Sequence, residues 1–231
     1  MRPTFFYALA TLGLLACQSS PKPAPNRQFL DCYIRVLESE GQVLAEATML
    51  SIPTQVNPNQ PTEKTPVEIP GGIRYQGSPM SARPGSGLTY TKAFPGEFVS
   101  EHTFSWDDKE QKRRTFSFKM NQIENFSLGA STLSINKPAQ FTWKGGALER
   151  GEALVLMWEN QKENLTVPME FIVQGALSVA DLPAAKMKEL SPGTWTLYVV
   201  RKKLVKFSED GFDAQAILEF YSKTDTIQIA K

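Results

Sequence analysis

The sequence predicts an all-β protein with two β-sandwich-like domains. Turn residues recur about every ten residues, and no long stretch shows the 3.6-residue period of an amphipathic helix. Apolar and polar residues instead alternate in short runs. After an apolar N-terminal segment, about 200 residues remain, which suffices for two domains of about 100 residues each. We expect these domains at residues 29–125 and 126–231.

Residues 1–16 have the organisation of a cleaved signal peptide. Arg2 supplies a positive charge, and an apolar stretch follows from residue 5 to residue 16. This stretch is shorter than the roughly 20 residues that a helix needs to span a bilayer. With Leu14-Leu15-Ala16-Cys17 as a lipobox, the segment resembles the signal peptides of bacterial lipoprotein precursors. The resemblance implies a lipid on Cys17 that anchors the mature protein in a membrane; the alternative is an ordinary secretory signal.

Residues 17–28 predict a lipidated tether. After Cys17 the chain has three prolines, two serines and no acidic residue before position 29. The resemblance implies a sorting rule, in which an aspartate directly after the lipidated cysteine retains a lipoprotein in the inner membrane. Gln18 stands there instead, which favours the outer membrane. Because the tether lacks an acidic cluster, we expect the periplasmic side, and the cell surface stays open.

The charge balance argues against a nucleic-acid partner. Removal of Arg2 with the signal peptide leaves 24 basic residues against 24 acidic ones. Nucleic-acid binding calls for a clustered basic face. Two short basic runs occur, at residues 112–114 and 201–203, and we predict both to be solvated strand ends.

The cysteines and the single histidine leave little for catalysis or metal binding. If Cys17 carries lipid, Cys32 has no disulfide partner, and its alternation with apolar residues predicts a buried thiol. His102 cannot build a structural zinc site alone, and we interpret it as a histidine at a sheet edge. No Gly-x-Ser-x-Gly or phosphate-binding glycine motif is present. We therefore expect no enzyme activity, no cofactor and no metal.

The elements of the first domain begin with a hairpin that pairs residues 32–37 with residues 43–50; the second arm could alternatively be a short helix. Five prolines between positions 53 and 70 then predict a long irregular connection. Further strands are expected at residues 73–75 and 88–93. The clearest hairpin follows, in which residues 104–106 and 116–120 alternate aromatic and polar side chains around a charged turn.

The second domain has seven strand-like runs. They lie at residues 132–135, 141–143, 153–158, 169–173, 195–207, 212–221 and 226–230. The continuously apolar run at 153–158 predicts a central strand covered on both faces. Asp210-Gly211 predicts a hairpin between two of the last strands. Residues 183–190 predict a single helical turn where one sheet crosses to the other.

The stretch from Leu190 to Val200, LSPGTWTLYVV, resembles the corner before strand F in fibronectin type III and related immunoglobulin-like domains. In that family a tyrosine hydroxyl bonds back to the backbone at this corner. Trp195 stands in the position of the tyrosine, so the corner requires its indole N–H to make that bond. Trp143 resembles the core tryptophan of an early strand in such sandwiches. The resemblance implies an immunoglobulin-like C-terminal domain and no particular ligand.

Three functions are compatible with these patterns. The first is a non-enzymatic envelope lipoprotein that docks an envelope protein or a glycan. The second is a hydrolase or an accessory carbohydrate-binding lipoprotein of a polysaccharide-degrading system, with a site near Tyr75, His102 and the loop at 81–87. The third is a structural subunit that adds a strand through an edge at residues 226–230. We expect the tryptophans to be core residues, because each alternates with polar neighbours or lies in an apolar run.

Overall fold

A computed structural model describes residues 26–53, 63–83, 88–172, 177–209 and 212–231. The regular structure of these residues is nearly all β-strand, which confirms the all-β prediction. The strands, numbered in chain order, are Arg27–Leu37 (β1), Gln42–Ile52 (β2), Thr65–Pro66 (β3), Ile73–Tyr75 (β4), Ser78–Pro79 (β5), Ser81–Arg83 (β6), Thr89–Pro95 (β7), Glu101–Asp107 (β8), Arg113–Lys119 (β9), Asn125–Ser127 (β10), Thr132–Ser134 (β11), Ala139–Lys144 (β12), Glu152–Asn160 (β13), Leu165–Phe171 (β14), Val179–Leu182 (β15), Gly193–Glu209 (β16), Phe212–Tyr221 (β17) and Asp225–Ala230 (β18). A 3-10 turn occupies Glu38–Glu40, and a one-turn helix, α1, occupies Ala184–Met187.

The strands form one long sheet and two small ones. The long sheet has the order β11-β18-β16-β17-β1-β2-β7-β6, with β13 and then β14 on the other side of β16 and β3 paired with β2. The small sheets have the orders β10-β12-β15 and β5-β4-β8-β9. Side chains from all three sheets contribute to one apolar core.

The strands of residues 126–231 have the immunoglobulin-like arrangement. In the long sheet β14, β13, β16, β18 and β11 lie side by side, and β11 runs parallel to β18. The sheet β10-β12-β15 supplies the second layer, and α1 lies where the chain crosses from β15 to β16. This order of strands confirms the predicted sandwich. Because β11 covers residues 228–230 of β18, the prediction of an open edge there is wrong.

The corner before β16 forms as the sequence requires. The indole Nε1 of Trp195 donates a hydrogen bond of 2.8 Å to the carbonyl oxygen of Ser191. The indole N–H therefore makes the bond to the backbone that a tyrosine hydroxyl makes at this corner in immunoglobulin-like sandwiches. Trp143 is buried on β12, and its Nε1 donates to the carbonyl oxygen of Gly146 at 2.8 Å.

A hairpin of the second half joins the two halves into one sheet. The last part of β16 pairs with β17, and the pairing of Glu209 with Phe212 places the connection at the predicted Asp210-Gly211, which lies outside the described residues. β17 then runs parallel to β1 and pairs with its residues 28–37. The boundary at 125/126 stays a prediction, but the strands on its two sides do not segregate into separate sheets.

The first half also follows the predicted alternation. β1 and β2 form the expected hairpin, and the second arm is a strand rather than a helix. β8 and β9 form the aromatic hairpin, with the predicted turn held by hydrogen bonds from backbone N–H groups to Asp108. His102 pairs with Phe118 of β9, whereas β4 pairs with residues 104–106 of β8, and the imidazole of His102 is fully buried.

Candidate functional site

A polar cleft lies where three loops meet between the two halves of the chain. It has a volume of about 550 Å³. Its lining comes from the β7–β8, β9–β10 and β12–β13 connections. We call it the junction cleft, and its lining residues are Phe98, Ser100, Asn121, Gln122, Glu124, Gly145 and Gly146.

The loops are held against each other by backbone contacts. The backbone N–H of Met120 donates to the carbonyl of Ser100 at 3.0 Å, and that of Glu124 donates to Lys144 at 3.2 Å. Gly145 has φ +109, and a Cβ atom at this position would lie 1.9 Å from the carbonyl oxygen of Gln122. Only glycine fits this close approach with this backbone conformation. The glycine pair that separates β12 from β13 is therefore also part of the cleft wall.

A buried arginine bonds the glycine loop of the cleft wall. The guanidinium of Arg201 donates to the carbonyl oxygens of Gly145 and Ala147 at 3.0 and 2.9 Å, and to the carboxylate of Glu152. The side chains of Arg201 and Glu152 are both 0% exposed. Lys203 lies 3.1 Å from Glu152 and 2.8 Å from Glu149. The loop carbonyls are therefore bonded within the protein, which favours this loop conformation.

The prediction that residues 201–203 are a solvated strand end is wrong. Arg201 and Lys203 point to the buried side of β16, where Glu152 from β13 pairs with both. Their signal in the sequence is their spacing of two from Leu197 and Val199, which places all four on one face. The run at 112–114 does lie at a hairpin end, where Arg113 and Arg114 pair with aspartates of β8 and its turn.

The side chains of the junction cleft suit a neutral ligand rich in hydroxyl groups. Asn121 and Gln122 each present amide donors and an acceptor, Glu124 presents acceptors, and Ser100 can do both. The half-buried ring of Phe98 contributes an apolar surface, and it is fixed edge-on against Phe220 at a centroid distance of 5.3 Å. Such a mixture of amides, a carboxylate and one ring can bond vicinal hydroxyls and cover a ring face. Sequence reasoning missed these residues, although the break in alternation at 121–124 marks them.

The structure brings together two residues of the predicted hydrolase site. The hydroxyl of Tyr75 lies 2.6 Å from Nδ1 of His102, and both side chains are buried beside a second cleft of about 520 Å³. Burial lowers the pKa of His102 to about 4, although a hydrogen bond with the backbone of Val99 acts to raise it. Burial also raises the pKa of Tyr75. The loop at residues 81–87 was expected near Tyr75 and His102, but its described part does not line this cleft. Ser81–Arg83 forms β6 in the long sheet, and residues 84–87 lie outside the described residues.

The tryptophans are core residues, as predicted. Trp106, Trp158 and Trp195 are 0% exposed and Trp143 is 5% exposed, so none presents a ring face to a ligand. Cys32 is buried as well, and burial raises the pKa of its thiol. Cys17 lies outside the described residues, and its lipidation stays a prediction.

In the described ranges, no group of three or more His, Cys, Asp or Glu side chains is placed to hold a metal ion. Among the helices of those same ranges, none combines the length and apolar character needed to cross a membrane.

Comparisons with known proteins give weak likenesses. No protein-family model matches the chain, and neither does any curated protein. Among solved structures, it is similar to SGBP-B of the Bacteroides ovatus mixed-linkage glucan utilization locus, in complex with a mixed-linkage heptasaccharide, at 11% identity and a TM-score of 0.25. The match covers 97% of this chain and 69% of that one. Murine CEACAM1b matches at 10% identity and a TM-score of 0.24, over 87% of this chain and 98% of that one. The fibronectin(III)-like modules of Clostridium thermocellum CbhA match at 10% identity and a TM-score of 0.22, over 89% and 92%.

Proposed function

We propose that this chain is a non-enzymatic lipoprotein of the bacterial envelope, anchored through a lipid on Cys17, that binds a neutral glycan in the junction cleft. The carrying observation is the cleft itself: hydroxyl, amide and carboxylate side chains line it together with a glycine loop whose carbonyls Arg201 bonds. Binding sites are commonly built in this way, from loops that converge on a rigid scaffold at a junction.

The composition of the cleft supports binding rather than hydrolysis. Cleavage of a glycosidic bond commonly uses two carboxyl groups, one as acid and one as base or nucleophile. Glu124 is the one acidic side chain among the described residues that line the cleft. An amide-rich site with a single carboxylate can orient hydroxyl groups but lacks the pair that would break the bond.

The N-terminal region supports the anchor. The lipobox ends at Cys17, and a tether without acidic residues separates Cys17 from the first strand. Two or more acyl chains hold a protein durably, whereas one chain gives marginal binding. We place the mature protein on the outer membrane, facing the periplasm.

Glycan binding is tested with the mature protein in detergent micelles on an array of neutral oligosaccharides, followed by calorimetry on those that bind. We expect Asn121→Ala and Gln122→Ala each to weaken binding about tenfold, because each removes a hydrogen-bonding amide. Gln140→Ala removes an exposed amide from β12, outside the cleft lining, and should leave the affinity unchanged. Absence of any bound glycan, or equal effects of the three variants, would contradict the proposal.

Anchoring is tested by growing cells that express the protein with radiolabelled palmitate. We expect label in the wild type and in Cys32→Ala, and none in Cys17→Ala. Fractionation should then place the labelled protein with the outer membrane. Label that persists in Cys17→Ala would remove the anchor from the proposal and leave the cleft untouched.

A further inference from the structure

A second polar surface lies on the outer side of the long sheet, away from the loops of the junction cleft. Because side chains alternate along a strand, the odd-numbered residues of β1 and β17 and the even-numbered residues around Tyr198 in β16 point outward there. Aromatic and charged side chains collect on this side. We call them the tyrosine face, and its members are Tyr33, Arg35, Tyr198, Lys202, Glu219 and Tyr221.

The tyrosines of this face are held in place by carboxylates. The hydroxyls of Tyr33 and Tyr221 both donate to Oε2 of Glu219, at 2.7 and 2.8 Å. Tyr198 donates to Oε1 of Glu159 at 3.1 Å. The rings of Tyr198 and Tyr221 lie side by side at a centroid distance of 6.3 Å. Half-buried rings in fixed positions lose little conformational freedom when a partner covers them.

The charge of Glu219 is already satisfied within the molecule. Lys202 lies 3.3 Å from its Oε1, and two tyrosine hydroxyls bond its Oε2. Burial acts to raise the pKa of Glu219, but the hydrogen bonds from Tyr33 and Tyr221 and the charge of Lys202 outweigh it and lower the pKa. The carboxylate of Glu219 therefore does not need Arg35 as a counterion, although the two residues are directly opposite each other in the sheet register.

Among the described residues of this face, Arg35 is the cation without a counterion. Its guanidinium lies over the ring of Tyr221, 4.4 Å from the centroid. In the part of the chain that the structure describes, it forms no ion pair within 4.0 Å, whereas Lys202 on the same side pairs with Glu219. Its neighbour on β2 is Leu44, which offers no acceptor from its side chain. Arg27, on the same side of the same strand, instead pairs with Asp213 at 2.6 Å.

An apolar pair adjoins the tyrosines. Leu204 on β16 and Ile217 on β17 are directly opposite in register, and they are 44% and 37% exposed. Ile217 is two residues from Glu219 and points to the same side. Tyrosine and arginine are enriched at the centres of protein interfaces, and exposed aliphatic side chains beside them supply the apolar contact area.

We propose that the tyrosine face binds an acidic segment of a protein partner, with a carboxylate of that segment on the guanidinium of Arg35. The planar guanidinium can hold a carboxylate through two parallel hydrogen bonds, while its stacking on Tyr221 keeps it oriented. Aliphatic side chains of the same segment would cover Leu204 and Ile217. A flat, mixed aromatic and aliphatic surface suits a polypeptide better than it suits a small anion.

The test selects peptides from a random display library on the mature protein in detergent micelles and measures their affinity by fluorescence anisotropy. We expect the selected peptides to share an aspartate or glutamate beside aliphatic residues. Replacing that acid by its amide, or replacing Arg35 by Gln in the protein, should weaken binding about tenfold. Arg35→Lys should also weaken it, because a lysine cannot make the two parallel bonds.

Arg27→Gln is the matched control, since it removes an arginine of β1 that already has a partner, and it should leave the affinity unchanged. Near-ultraviolet circular dichroism of both variants checks that the sheet is intact. Peptides without a shared acidic residue, or an unchanged affinity in Arg35→Gln, would overturn the proposal. Selective binding of polygalacturonate at Arg35 with no peptide selected would also overturn it, in favour of an acidic glycan. None of these outcomes depends on the neutral glycan of the junction cleft.

Discussion

Arg201 and Arg35 lie in the same sheet and differ in what surrounds them. Arg201 points inward, is fully buried, and uses its donors on a carboxylate and on loop carbonyls. Arg35 points outward over a tyrosine ring, and the carboxylate opposite it in register is occupied by other groups. The comparison teaches that a polar side chain stabilises the fold where its partners are internal. Where the internal partners are already used, its donors stay available for a ligand.

Replacing each of the two arginines in turn tests this difference most directly. Arg201→Met should lower the free energy of unfolding by about 3–5 kcal/mol, because it leaves the buried carboxylate of Glu152 without its main partner. Arg35→Met should lower it by less than about 1 kcal/mol, as is usual for surface substitutions. Urea denaturation of both variants measures the difference. Equal losses would show that the burial of Arg201 has no energetic consequence.

The second prediction concerns the loop that Arg201 holds. Gly145→Ala and Gly129→Ala both place a side chain at positive φ, which costs about 1–2 kcal/mol. At Gly145 the new Cβ also meets the carbonyl of Gln122, whereas at Gly129 no atom of the described residues lies within 4 Å. We expect Gly145→Ala to lose about 1–3 kcal/mol more than Gly129→Ala and to lose glycan binding. Equal urea midpoints for the two variants would contradict the close approach.

The third prediction concerns the buried imidazole of His102. The pKa of His102 is about 4 in the folded protein and about 6.5 in an unfolded chain, so the unfolded state takes up a proton first as the pH falls. Stability should therefore decrease from pH 6.5 down to pH 4, by about 2 kcal/mol between pH 7 and pH 5. Urea titrations at these two pH values measure it. His102→Gln should abolish most of the loss, and an undiminished loss in that variant would assign it to other groups.

The smallest effect separates two buried tryptophans. The Nε1 of Trp195 bonds the backbone of Ser191, whereas that of Trp106 has no hydrogen-bond partner among the described residues. Both Trp→Phe variants remove similar volume from the core, but only Trp195→Phe also removes a hydrogen bond. We expect it to be about 1 kcal/mol less stable than Trp106→Phe by thermal and urea unfolding. The opposite order would show that the corner bond does not stabilise the sandwich.

Local patterns predicted much of the fold and little of the site. The alternation of β1, β8 and β16 and the indole bond of Trp195 follow from neighbouring residues. The inward position of Arg201 depends on Glu152, which is 49 residues earlier, and its burial was not predicted. The junction cleft combines loops that are distant in sequence, so no single motif could reveal it. The pairing of β8 with β9 followed from the aromatic alternation, whereas the pairing of β8 with β4 and the burial of His102 did not, because they depend on segments distant in sequence.

The sequence by itself determined the strands, the turns, the buried tryptophans and the expectation of a lipid anchor. These are local properties, since a period of two or a short motif is complete within about ten residues. Only the tertiary structure decided that β17 pairs with β1, that Arg201 is satisfied and that Arg35 is not. Each of these depends on which distant strands become neighbours, and that choice minimises the exposed apolar surface of the whole chain rather than of any segment.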